Sequence, residues 1–164
     1  MPLSPIGIIH TILGTIAVFC GIKLLWQNKQ IDSGSATGRV YLSATFITAA
    51  LALMIFKFGT FNAAHGLAIL TILAVLAGLS IEKSSFLRAK LFKSWTKYFV
   101  NLCYSSTILF HLIPTATEIL TRFPMDAPLV TSFEDPLLHK TFLSLFIVFI
   151  ILLVLQLNWL RKQD

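Results

Sequence analysis

Residues 136–160 read PLLHKTFLSLFIVFIILLVLQLNWL, and the twenty positions after Lys140 carry no charged side chain. A helix rises ~1.5 Å per residue, so about 20 apolar residues match a hydrocarbon core ~30 Å thick. In water such a helix needs protein on every side; in lipid its backbone satisfies itself and its side chains need no cover. The run therefore reads as a membrane-spanning helix. Its start is written beside it: Asp135 is an N-cap residue and Pro136 suits the first helical position.

Working outward from this run, four more apolar stretches of spanning length appear at 5–26, 39–58, 61–81 and 95–120. Apolar residues make up 56% of the chain and charged residues 12%, and the mean hydropathy is +0.82. These values fall outside the range of water-soluble domains. The chain reads as all-α, an integral membrane bundle of five transmembrane helices forming a single domain over 1–164. The remaining pieces, 27–38, 82–94 and 121–135, are too short to fold alone. The first stretch lacks a basic leader and a small-residue cleavage site, so it reads as a retained helix. Asn62 is placed to cap the third helix after a Gly59-Thr60 turn, which makes helices two and three a tight antiparallel pair.

Orientation follows from Lys and Arg in the short loops. With the N-terminus outside, Lys23, Lys29, Arg39, Lys83, Arg88, Lys90, Lys93, Lys97, Arg161 and Lys162 lie on the inner side; Lys57, Arg122 and Lys140 lie on the outer side. This split predicts N-out, C-in in a bacterial inner membrane. Trp26, Trp95 and Trp159 then all fall at the inner interface, where an indole keeps its ring apolar and its N–H near headgroups. The net charge of +6 is accounted for by topology and anionic headgroups. No groove-reading motif for nucleic acid is present, so the expected partners are the lipid bilayer and other membrane subunits.

The chemistry is concentrated in few residues. His10, His65, His111 and His139 lie in or at the ends of four different apolar segments. By helical rise, His10, His65 and His139 fall roughly 5 to 8 Å inside the outer ends of their helices, with Glu118 at a comparable level. Three imidazoles and a carboxylate at one level suit zinc, copper or a similar ion, with His111 deeper as a proton carrier. Haem is the competing use, because an axial pair needs two imidazoles at similar depth on facing helices. Against both stands the plainer reading, in which these histidines are interfacial or hydrogen-bonded structural residues.

On the fourth helix, Asn101, Tyr104, His111, Thr115 and Glu118 fall on one face. Unpaired polar groups facing lipid cost several kcal/mol, so this face should look into the bundle, a cavity or another protein. Arg122, one turn beyond Glu118, offers it an ion pair as an alternative to a ligand or proton-relay role. Pro114 predicts a kink beside His111. Tyr41, Thr45 and Thr48 make a mild polar face on the second helix, and Arg39 can snorkel to phosphates. Gly7, Gly14 and Gly21 form a smooth stripe on the first helix for close packing inside the bundle or against another subunit. Cys20 and Cys103 read as small buried hydrophobes.

The run Ile9-His10 through Gly14 and Gly21, the Gly38-Arg39-Val40-Tyr41 opening of the second helix, and the His111 to Pro124 segment together resemble an uncharacterised bacterial family of small membrane proteins. Its layout is His-x3-Gly followed by Gly-Arg-hydrophobic-Tyr. The resemblance covers the first four helices and implies a multi-pass inner-membrane protein with no established activity. Where that layout carries a His-Arg pair four residues before the Gly-Arg, this chain has Gly34-Ser35.

Three classes of function remain. The first is a metal- or haem-binding membrane protein, with its site near the periplasmic face at His10, His65, His111, His139 and Glu118, and Asn101, Tyr104 and Thr115 in support. The second is a non-catalytic accessory subunit of a larger membrane complex. The third is an enzyme or transporter handling a lipid or small solute, with Glu118 or His111 moving protons. The sequence carries no nucleophile elbow and no phosphate loop.

Overall fold

A computed structural model describes residues 4–56 and 59–163. Among these residues the chain is helical, with α1 at Pro5–Asn28, α2 at Ala36–Ala52, α3 at Ala63–Lys83, α4 at Thr96–Arg122 and α5 at Pro136–Arg161. Four helices, α1, α3, α4 and α5, are long and apolar enough to cross a membrane, and the protein is a multi-pass membrane protein. α2 differs. Its 17 residues reach about 25 Å at ~1.5 Å per residue, less than the ~30 Å hydrocarbon core.

Four starts are capped by side chains, each satisfying a backbone N–H the first turn leaves without a partner. Ser4 accepts from Gly7 N, Ser35 from Gly38 N, Asn62 from Ala64 N and Asp135 from Leu137 N. The Asn62 and Asp135 caps match the sequence expectation, as does Pro136 in the first turn of α5. Ser35 explains a difference. Hydropathy started the second helix at Arg39, but the cap starts it at Ala36, and the helix ends at Ala52, short of the expected Phe58. Lys57 and Phe58, assigned by sequence to the second helix and its outer end, lie outside the described residues. α3 ends at its C-cap Ser84, which is extended, and α4 is entered through a π-helical turn at Leu87–Phe92 and a 3-10 turn at Lys93–Trp95.

Successive helices pack side by side, and α1 also reaches α4. α1 to α4 thus surround a common core that includes Ala17, Leu24, Tyr41, Leu42, Val75 and Tyr104. α5 is added on the outside, against α4. Close approach depends on glycines. A Cβ on Gly21 would sit 2.8 Å from the Tyr41 ring, and one on Gly78 would collide with the Tyr104 ring. Gly14 faces Thr48. The Gly14 and Gly21 part of the stripe on α1 thus packs within the chain, against Thr48 and Tyr41 of α2 and, at Gly21, Ile108 of α4.

The Ser33–Glu82 and Lys97–Leu160 hydrogen bonds tie together the end of the bundle formed by the α1–α2 loop, the last turn of α3, the start of α4 and the end of α5. Most of the cations belong to this end, called here the basic end. The opposite end carries the N-terminus of α1.

Candidate functional site

The strongest constellation of polar side chains lies where α1, α2 and α4 meet. α2 supplies its spine: Tyr41, Thr45 and Thr48, spaced four and three apart, fall on one face, and all three are buried. His10 of α1 places Nδ1 3.0 Å from the Thr48 carbonyl oxygen. A carbonyl only accepts, so Nδ1 carries the proton and donates, leaving the Nε2 lone pair to the neutral ring. His111 of α4 places Nε2 3.1 Å from Thr45 Oγ1. Two imidazoles from different helices are thus held by one turn of a third. Thr48 Oγ1, buried on the same turn, has no hydrogen-bond partner among the described residues.

Below this pair the seam continues through hydroxyls. Thr107 Oγ1 donates to the Tyr104 carbonyl at 2.7 Å. With that proton committed, the Tyr41 hydroxyl donates to Thr107 Oγ1 across 2.5 Å. Tyr41, Thr45 and Thr107 are fully shielded. In a helix facing lipid the Tyr41 hydroxyl would be unsatisfied at considerable cost; between α2 and α4 it finds Thr107.

Two further clusters lie toward the basic end. Glu82 Oε2 accepts from the Tyr104 hydroxyl at 2.7 Å and from Ser33 Oγ at 2.6 Å, which fastens the α1–α2 loop to α3 and α4. Gln156 of α5 donates to the Lys29 carbonyl at 2.8 Å and to Asn101 Oδ1 at 3.3 Å, and its own oxygen accepts from Ser105 at 2.9 Å. Tyr104 takes part in both networks, its hydroxyl donating to Glu82 and its backbone carbonyl accepting from Thr107.

The residues expected to form a metal or haem site are not assembled together. Among the described residues no group of three His, Cys, Asp or Glu side chains is placed to hold a metal ion. His65 is buried, but as part of the start of α3: its Nδ1 accepts from Asn62 N in a reciprocal cap, and it packs between Phe56 and Phe61 with ring centroids 4.7 and 5.0 Å away. His139 is exposed on α5. Glu118 is ion-paired with Arg122 on the same helix, the plainer of its two expected roles. The polar stripe of α4 divides accordingly. Asn101, Tyr104 and His111 are buried, whereas Thr115 and Glu118 are exposed, because the helix turns that part of its face away from the bundle. Thr115 instead donates back to the His111 carbonyl, a bond that keeps a hydroxyl satisfied in lipid.

Sequence reasoning found His10, His111, Tyr41, Thr45, Thr48 and Tyr104, and missed Thr107, Ser105, Gln156, Ser33 and Glu82. A signal existed for Gln156, an amide inside an otherwise apolar run. None existed for Ser33, whose partner is 49 residues away. Comparison with known proteins returned no match to the chain, whether among family models, curated proteins or solved structures.

Proposed function

We propose that the protein handles protons within the membrane, with His10 and His111 as the groups that hold and release them. The reading rests on one observation: two imidazoles from α1 and α4, His10 half-buried and His111 buried, are fixed on one turn of α2. Imidazole is the side chain best suited to exchange a proton under physiological conditions, and ionisable groups kept inside a membrane bundle mark ion or proton pathways. Tyr41 and Thr107 extend the seam with hydroxyls that can pass a proton by rotating. This belongs to the third of the sequence-level classes, narrowed to proton movement. The N-out, C-in orientation in a bacterial inner membrane is part of the proposal, supported by the basic end, and it sets His10 toward the periplasm.

Vesicles holding a trapped pH dye test the reading. With a potassium gradient and valinomycin driving proton entry, vesicles containing the protein should acidify several-fold faster than empty ones, and H111N should return them to the empty rate. Wild-type vesicles as tight as empty ones would refute the proposal.

A further inference from the structure

The link between α3 and α4 has a composition that the bundle does not use. From Lys83 to Lys97 it carries Lys83, Arg88, Lys90, Lys93 and Lys97 with no acidic residue. The nearest carboxylate, Glu82, is already engaged by Tyr104 and Ser33. Lys97 is likewise engaged, donating to the Leu160 carbonyl. Lys83, Arg88, Lys90 and Lys93 are exposed. Beside them stand Phe86, 57% exposed, and Trp95, 64% exposed; the Lys90 ammonium lies 5.4 Å from the Phe86 ring centroid. Because the link is short and joins two spanning helices, these aromatics and cations stand together at the end of the bundle where α3 finishes and α4 begins.

Rings that enter the headgroup boundary beside cations that stay in water form the pattern of an interfacial segment on an anionic surface. We infer that the Lys83–Trp95 link binds anionic phospholipid, with Arg88, Lys90 and Lys93 on the phosphate groups and Phe86 and Trp95 among the upper acyl carbons. Charge complementarity selects this occupant. The adjoining ends of α1, α2 and α5 and the α1–α2 loop, which share this end of the bundle, add Lys23, Lys29, Arg39, Arg161 and Lys162 against Asp32 and Asp164, which leaves the cations in excess. A zwitterionic headgroup carries no net charge for such a surface to select. The inference is independent of proton handling.

Brominated lipids quench tryptophan only on contact. With W26F and W159F in place, Trp95 reports on the link alone. In phosphatidylcholine bilayers, brominated phosphatidylglycerol should quench Trp95 with an apparent association constant at least ~3-fold higher than brominated phosphatidylcholine, and the excess should shrink in high salt. R88Q/K90Q/K93Q should bring the ratio close to one. Equal quenching by the two lipids in the protein with its cations intact, or a preference that salt and the triple substitution leave unchanged, would overturn the inference. The lipid ratio and its salt dependence need no cation variant, so a triple variant that fails to fold does not remove the test.

Discussion

α4 and α5 are of similar length, yet within their most apolar windows 44% of α4 is buried inside the protein and only 11% of α5. α5 is the more hydrophobic helix, and in water it would form the core. Here it is peripheral. Lipid is as apolar as leucine, so α5 gains nothing by leaving it, whereas α4 carries Asn101, Tyr104, Ser105, Thr107 and His111, which lipid cannot satisfy. Burial in this bundle follows polarity and close packing, not hydrophobicity. Even the attachment of α5 conforms: its buried residues include Gln156, the amide that binds α4 and the α1–α2 loop.

The sharpest way to break this comparison is to disturb the α4 face. Gly78→Leu drives a side chain into the Tyr104 ring and should cost ~3 kcal/mol or more, read as a lower unfolding midpoint in mixed micelles. Next in size is Gln156→Leu, which makes α5 more apolar still. If hydrophobicity held α5 in place the change would stabilise; the loss of three hydrogen bonds should instead cost about 1–2 kcal/mol. Tyr104→Phe removes only the hydroxyl on Glu82 and should cost about 1 kcal/mol, with protease access to the α1–α2 loop rising because Ser33 shares that carboxylate. Smallest are Ile151→Ala and Leu155→Ala on the outer face of α5, each within ~0.5 kcal/mol of the parent. Equal costs for Leu155→Ala and Gln156→Leu would erase the distinction.

These contrasts show what the sequence could and could not convey. The spanning helices were legible because lipid imposes one rule on every residue of a span, and the run after Lys140 obeys it throughout. Caps were legible where Asp135 and Asn62 precede a helix. The start of α2 was not, because Ser35 lies in a polar stretch where hydropathy carries no signal. Within the site, periodicity placed Tyr41, Thr45 and Thr48 on one face, and placed Tyr104 and His111 on another. It could not tell which histidines meet. Depth along each helix put His10, His65 and His139 at one level, but convergence also requires rotation about the helix axis and a choice of neighbours. His65 was drawn into a cap by Asn62 three residues before it, and His139 went outward with α5. His10 and His111 found each other's vicinity only through α2.

The central claim is that the half-buried His10 and the buried His111 are both held by a single turn of α2. Nitrogen-15 magnetic resonance of histidine-labelled protein in lipid bilayers tests it most directly. The account predicts a His10 ring protonated at Nδ1, and a His111 ring slow to exchange with water whose signal moves in T45V while that of His139 does not. A rapidly exchanging His111 that does not respond to T45V would contradict it.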